Sequence, residues 1–169
     1  ANILIKRGSA PKHARKIRTA AKTLGICPGS DEVYLAIRGI PTLKIRMKEI
    51  ENNALLMAKY LLDHDLVTDV FHPALPHTKN HKIWKRDFSG STGLFSFTLK
   101  KKYSNNQIEK FFNKLKIFKL GYSWGGFDSL ITFPPLDKRE FKNKNTGTLI
   151  RLYCGLEAVS YTHLTLPTI

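Results

Sequence analysis

The sequence predicts an α/β fold in which helices cover a mostly antiparallel sheet. Two patterns support this prediction. In residues 42 to about 64, apolar side chains recur every three or four positions, as they do on the buried face of a long helix. Leu94–Leu99 and residues 148–154 are short runs rich in branched and aromatic residues, which is typical of β-strands. Helix-like and strand-like patterns alternate along the chain, and no segment is repeated. This order indicates a fold in which a layer of helices packs on a sheet.

The elements before the long helix are predicted from short local signals. Residues 3–5 are expected to form a short apolar strand, and a basic helix that ends at Gly25 is expected to follow. Ser30 or Asp31 would cap a second helix. Pro41 would interrupt that helix, because proline removes a backbone hydrogen-bond donor.

The elements after the long helix alternate between strand and helix. Val67–Phe71 reads as a short strand, and Leu94–Leu99 would direct alternate side chains into the core. Asn105 would cap a further helix, and another strand would begin at Leu130. The core-facing side chains of the Leu94–Leu99 strand would be Phe95, Phe97 and Leu99.

The composition suits a packed core, and the charge is strongly basic. The chain has 169 residues, of which 42% are hydrophobic, and a formal net charge of +15 at pH 7. A basic surface can attract nucleic acid. The basic residues are spread over most of the chain, however, without a recognisable binding motif. A nucleic-acid-binding module is therefore the rival hypothesis, and a solvated basic surface is favoured over it.

Membrane, disulfide and metal sites are not expected. No run approaches the roughly 20 apolar residues that a membrane span needs. Cys27 and Cys154 form neither a metal spacing nor a disulfide framework, and a reducing cytoplasm is the expected location. His72, His77 and His81 share one loop, but no carboxylate or cysteine accompanies them at ligand spacing.

The most informative stretch is residues 120–130, Leu-Gly-Tyr-Ser-Trp-Gly-Gly-Phe-Asp-Ser-Leu. Its three glycines surround Ser123 and Trp124, and glycine lets the backbone turn sharply or approach another group closely. A hydroxyl and an indole between such turns suit the wall of a pocket. The alternative is a glycine-rich hairpin in which Trp124 is simply a core residue.

Arg151 is the second candidate site residue. It lies 21 residues beyond Leu130, on an otherwise apolar predicted strand. Burying an arginine there is costly unless an anion pairs with it, and the planar guanidinium matches a carboxylate in a bidentate way. Glu157 is six residues away, and the same strand cannot bring it to Arg151. The alternative is an arginine that extends to water or pairs with a distant aspartate.

Several segments together resemble the C-terminal part of the cystathionine β-lyases, within the cystathionine-metabolism family of pyridoxal-phosphate enzymes. The segments occur in family-like order and spacing. They are Asp-Glu-Val-Tyr-Leu-Ala-Ile-Arg-Gly-Ile-Pro-Thr-Leu (31–43), His-Pro-Ala-Leu-Pro (72–76), Trp-Lys-Arg-Asp-Phe (84–88), Gly-Leu-Phe-Ser-Phe (93–97), residues 120–130 and residues 151–157.

This resemblance implies a fold and a domain organisation. The fold would be the aspartate-aminotransferase type, also called fold type I. Residues 1–41 would be the end of the cofactor-binding large domain and a linking helix, and residues 42–157 the smaller C-terminal domain. The family continues after Glu157 with an acidic helix, which this sequence lacks. Residues 158–169 are therefore expected to be a non-native tail.

The resemblance also implies a function. The protein would be a pyridoxal 5'-phosphate-dependent carbon–sulfur lyase that cleaves cystathionine to homocysteine, pyruvate and ammonia. Arg151 would hold the substrate α-carboxylate, and Ser123 and Trp124 would line the pocket beside it. The form Tyr-Ser-Trp-Gly-Gly at residues 122–126 favours the β-lyase branch, and a γ-lyase or γ-synthase of the same family is the alternative.

The family's Schiff-base lysine would lie upstream of Ala1. The chain is accordingly expected to be a fragment that is inactive alone, with no catalytic residue of its own. In its full-length form it would be a homotetramer built from dimers. Its partner would be a small amino-acid thioether, with neither a metal ion nor a membrane involved.

Overall fold

The computed structural model describes residues 11–134 and 147–158. The chain divides into two compact units, Ala1–Leu43 and Lys44–Ile169. The strand expected at residues 3–5, and the expected tail after Ala158, lie outside the described residues.

From residue 11 onward, the first unit contains two helices and a short 3₁₀ segment. Helix α1 is Pro11–Thr23, helix α2 is Ser30–Gly39, and the 3₁₀ segment is Ile40–Thr42. Gly25 follows α1 with φ of +65°, a left-handed conformation that glycine adopts without steric cost. The 3₁₀ segment contains Pro41, which confirms the interruption that was predicted there.

The predicted cap of α2 is wrong. The N-cap residue is Gly29, which has an extended backbone and no side-chain cap, and Ser30 already belongs to the helix. Asp31 and Glu32 lie in the first turn. Their negative charges face the positive end of the helix dipole there, so these acids stabilise the helix start without capping it.

The second unit is a five-stranded sheet with helices. Helix α3 is Leu43–Leu62, the long helix predicted from the apolar repeat. Along the sheet the strands follow the order β1-β2-β5-β4-β3. Among the described residues, three strand pairs are antiparallel, and the pair of β3 with β4 is parallel. The prediction of a mostly antiparallel sheet is thus confirmed. The remaining elements are β1 Val67–Phe71, α4 His81–Asp87, β2 Leu94–Leu99, α5 Asn105–Phe112, β3 Lys119–Leu120, β4 Leu130–Thr132 and β5 Leu149–Tyr153.

The core lies between α3 and one face of the sheet. Met57 and its helical neighbours pack in one cluster with side chains from every strand except β3. Burying a side chain of this size stabilises the fold by about 1.5–3 kcal/mol. The predicted core positions Phe95, Phe97 and Leu99 are all buried.

Ser104, and not Asn105, caps helix α5. The Ser104 hydroxyl accepts a hydrogen bond from the Gln107 backbone N–H, and the Gln107 side chain accepts one from the Ser104 backbone N–H. This reciprocal capping box satisfies two backbone donors at the helix start. The spacing Ser-x-x-Gln that produces it is visible in the sequence.

Candidate functional site

The glycine-rich segment, residues 121–129, connects two parallel strands. It leaves β3 and returns to β4, and Lys119 N–H donates to the Ser129 carbonyl oxygen at 3.0 Å. A hairpin joins antiparallel strands, so the hairpin alternative is wrong. Within the segment Gly125 has φ of +90°, so the turn depends on glycine at this position.

The aromatic side chains of this segment face outward. Tyr122, Trp124 and Phe127 are 68%, 64% and 71% exposed, and Ser123 is exposed as well. The interpretation of Trp124 as a core residue is therefore wrong. Exposed aromatic side chains grouped in nine residues form a surface that can bind a ligand's apolar part.

Arg151 lies in the middle of β5 and contacts the glycine-rich segment. Its Nη2 donates a hydrogen bond to the Tyr122 carbonyl oxygen at 2.5 Å. Its guanidinium carbon lies 6.0 Å from the centre of the Tyr122 ring, a cation–π distance. The sheet thus brings Arg151 to the residue that directly precedes Ser123.

The surroundings of Arg151 on the sheet are polar. Its cross-strand partners are Ser96 on β2 and Thr132 on β4, and the arginine itself is half-buried. Arg151 lies on an apolar strand, as expected, but hydroxyl-bearing residues flank it on both neighbouring strands. Burying part of this side chain costs less than the sequence alone suggested.

No carboxylate pairs with Arg151 within residues 11–134 and 147–158. Asp128, the acid nearest to Trp124 in the sequence, is held by Lys119, with 2.6 Å between Nζ and Oδ1. A guanidinium carries five N–H donors, and the Tyr122 carbonyl oxygen accepts from one nitrogen. Arg151 can therefore still offer donors to an anion.

Tyr153 holds the middle of the glycine-rich segment. Its hydroxyl donates a hydrogen bond to the Gly126 carbonyl oxygen at 2.8 Å. Burial raises the pKa of Tyr153, which keeps the hydroxyl protonated and able to donate. No local sequence pattern indicates this contact, because Tyr153 and Gly126 are 27 residues apart.

A polar cluster at the end of the segment was missed in the sequence. The Glu157 carboxylate accepts hydrogen bonds from the Ser129 backbone N–H at 2.9 Å and from the Ser129 hydroxyl at 2.7 Å. The same hydroxyl accepts from the Gly155 N–H at 2.8 Å. Asn53 of α3 donates to the carbonyl oxygens of Gly155 and Glu157, both at 3.1 Å. The sequence predicts only that Glu157 does not pair with Arg151, and the structure shows where its carboxylate binds instead.

The three histidines of the loop do not converge. His72 is fully buried, and its Nδ1 accepts from the Ala74 N–H at 3.2 Å. His77 and His81 contact the backbone carbonyl oxygens of Val70 and Pro73. Across the described part of the chain, no group of three potential metal ligands is found.

Two further observations concern the described residues. Cys27 is exposed and Cys154 is buried, and both are free thiols. None of the helices described is both long enough and apolar enough to span a bilayer.

Comparison with known proteins links these features to a family. The family model for Cys/Met metabolism PLP-dependent enzymes matches residues 3–161. The chain is 40% identical to a cystathionine beta-lyase of Escherichia coli K12, across 90% of this chain and 40% of that protein. It is 35% identical to a cystathionine gamma-lyase of Sus scrofa, across 91% of this chain and 39% of that protein. It is 41% identical to an L-alanine/L-glutamate racemase of Wolbachia pipientis wMel, across 80% of this chain and 34% of that protein.

The chain spans about 40% of the length of the cystathionine beta-lyases that it matches. The match includes both the glycine-rich segment and Arg151, because both lie within residues 3–161. The chain belongs to the family of Cys/Met metabolism enzymes that depend on pyridoxal phosphate.

Proposed function

We propose that this chain is the substrate-binding C-terminal part of a carbon–sulfur β-lyase that cleaves cystathionine to homocysteine, pyruvate and ammonia. The observation that carries the proposal is the contact between half-buried Arg151 and Tyr122, directly before Ser123. It provides a cation beside exposed aromatic side chains. A substrate with a carboxylate next to an apolar thioether chain needs this combination.

Arg151 would bind and orient the α-carboxylate of the substrate. Two parallel N–H···O bonds fix both the position and the plane of the carboxylate. Fixing that plane decides which bond of the α-carbon is aligned for cleavage, and such orientation can account for a large part of a rate enhancement. The Tyr122 carbonyl oxygen holds the guanidinium in place before substrate binds.

Trp124 and Ser123 would line the same pocket. Both are exposed next to Tyr122 and can contact a ligand without moving core side chains. The indole would pack on the apolar thioether chain, and the hydroxyl would donate to or accept from a polar group. Ligand pockets commonly combine apolar walls with a few placed polar groups in this way.

The described residues fit the substrate side of the site and not the cofactor side. Pyridoxal phosphate, when bound, supplies an electron sink for the bond cleavage. A lysine that bonds the cofactor must lose its proton, which burial favours. Every lysine side chain that the structure describes is exposed, and Lys119 is also paired with Asp128. The lysine that bonds the cofactor would therefore come from outside the described residues.

A product assay on the full-length protein with cystathionine tests this proposal. Pyruvate and homocysteine are the expected products. Release of 2-oxobutyrate would indicate a γ-lyase, and interconversion of alanine or glutamate enantiomers without cystathionine cleavage would indicate a racemase. Either outcome would overturn the β-lyase assignment. The cytoplasmic location, the homotetramer and the domain boundary after residue 41 stay predictions.

A further inference from the structure

Residues from three separate elements meet at the end of the glycine-rich segment. Ser129 is the last residue of the segment, Glu157 follows β5, and Asn53 belongs to α3. Ser129 and Asn53 are buried, and Glu157 is half-buried. Four hydrogen bonds of these three side chains, described above, reach backbone groups of the segment or of the chain after β5. The cluster therefore fixes two stretches of main chain relative to each other.

The two stretches lie unusually close together. Leu156 N–H donates to the Phe127 carbonyl oxygen at 2.9 Å. A Cβ on Gly155 would overlap that same carbonyl oxygen and crowd the Asp128 carbonyl carbon at 2.7 Å. The segment thus rests directly on the chain that leaves β5, the strand that carries Arg151.

The start of the segment is held by a backbone hydrogen bond and by the hydrogen bond from Arg151 to the Tyr122 carbonyl oxygen. Gly121 N–H donates to the Ile131 carbonyl oxygen at 3.1 Å. Its middle is held by Tyr153, and its end by the Glu157 carboxylate. A carboxylate that accepts from an N–H and an O–H forms charge-assisted bonds, which are about twice as strong as neutral ones. Glu157 therefore holds the end of the segment through two charge-assisted bonds, as Arg151 holds its start through one.

We propose that Glu157 is a positioning residue for the carboxylate site, holding Ser129 so that the glycine-rich segment keeps Tyr122 and Ser123 beside Arg151. This inference rests on the proposed function, because the site that Glu157 positions is the proposed substrate site. Glu157 does not touch the substrate in this arrangement. Glu157 binds Ser129, the last residue of the glycine-rich segment, and thereby fixes the position of the whole segment.

Amide hydrogen exchange tests the attachment without any catalytic activity. The variants are Glu157→Ala, Glu157→Gln and the control Glu49→Gln, which changes an exposed acid of α3. In Glu157→Ala, the protection of the Ser129, Gly155 and Leu156 amides should fall about tenfold more than that of Phe97 and Leu152 in the sheet. Glu157→Gln keeps the side-chain length and one acceptor, so it should recover part of the protection.

Equal loss of protection at all these amides would show a general stabilising role and overturn the proposal. Unchanged protection at Ser129 would overturn it as well. Glu157→Gln gives the same comparison if Glu157→Ala does not fold. This experiment decides the inference even if the protein proves not to cleave cystathionine, so the two failures are distinguishable.

Kinetics of the full-length enzyme provide the second readout. Two substrates are compared, cystathionine and its analogue in which the α-carboxylate of the reacting half is a carboxamide. Glu157→Ala should lower kcat/KM for cystathionine about 10-fold, mainly through KM, and change kcat/KM for the carboxamide much less. An equal loss of kcat/KM for both substrates would show that Glu157 does not act on the carboxylate site of Arg151, and would contradict the proposal. The control Glu49→Gln should leave both kcat/KM values unchanged.

Discussion

Arg151 and Tyr122 are 29 residues apart in the sequence, yet the Arg151 guanidinium donates to the Tyr122 carbonyl oxygen and lies near its ring. The sheet order explains the contact, because β5 lies beside β4 and the glycine-rich segment leads directly into β4. The side chain of an arginine on β5 can therefore contact the segment, because only β4 lies between β5 and β3, where the segment begins. This relationship joins the two features that the sequence had suggested separately.

Replacing Arg151 by lysine should reduce catalysis far more than stability. Arg151→Lys keeps the positive charge and loses the bidentate geometry, so kcat/KM for cystathionine in the full-length enzyme should fall about 10- to 100-fold. The urea midpoint should change little, because the arginine is only half-buried. The matched control is Arg86→Lys, an exposed arginine paired with Asp87, which should keep full activity. Equal activity of the two variants would exclude Arg151 from substrate binding.

Two glycine substitutions should differ sharply in stability. Gly155→Ala places a Cβ against the Phe127 carbonyl oxygen, and relieving that overlap should cost roughly 1–3 kcal/mol of unfolding free energy. Gly126→Ala is the control, since its Cβ would meet nothing within 4 Å and its backbone is not left-handed. Urea denaturation measures both variants. Similar midpoints for the two would show that the segment does not rest on the chain after β5.

His72 should make stability depend on pH. Burial lowers the pKa of His72 below 6.5, against the opposing effect of the Glu51 charge. The unfolded chain then takes up a proton at about pH 6.5 while the folded chain stays neutral. The stability that neutral His72 contributes is therefore complete above pH 6.5 and is lost as the pH falls towards the lower folded pKa, by at most about 1.4 kcal/mol per pH unit.

The control for this prediction is an exposed histidine. Urea midpoints measured between pH 8 and pH 5 should fall with acidity in the wild type and in His13→Gln, whose imidazole is exposed. In His72→Leu the dependence between pH 6.5 and pH 5 should be weaker, although the starting stability is lower. A pH profile unchanged by His72→Leu would rule out His72 as the titrating group.

The 169-residue chain alone should not bond the cofactor. All its described lysine side chains are exposed, so none lies in the kind of desolvated pocket that activates a cofactor-bonding lysine. With added pyridoxal phosphate, a titration should show no stoichiometric Schiff-base absorbance and no lyase activity. Free lysine at matched concentration is the control for non-specific reaction. One cofactor bound per chain would refute the assignment of the bonding lysine to another part of the protein.

The sequence predicted the elements that have a long or clean pattern. In helix α3 and strands β2 and β5, the buried side chains recur at the spacing of a helix or a strand. Each of these elements can therefore be predicted from its own residues alone. The caps were less predictable because neighbouring polar residues compete for the same position. Ser104 caps α5 in place of Asn105, and Gly29 begins α2 without a side-chain bond.

Contacts between distant segments could not be read from a local pattern. Ser129 and Glu157 meet across 28 residues, and neither lies in a repeat that marks it as a partner of the other. The two-residue strand β3 is too short to show alternation. The local pattern at Trp124 is compatible with a core residue in a hairpin and with a pocket wall, and the parallel arrangement of β3 and β4 decides that its segment is not a hairpin.

The most direct test of the central claim is a crystal structure of the full-length protein bound to an unreactive cystathionine analogue. The measured quantities are the distances from the Arg151 guanidinium nitrogens to the two α-carboxylate oxygens. We expect two contacts of about 2.7–2.9 Å, with Ser123 and Trp124 lining the same pocket. An α-carboxylate held by another residue, with Arg151 paired to an aspartate of this chain or left on the Tyr122 carbonyl oxygen alone, would contradict the account.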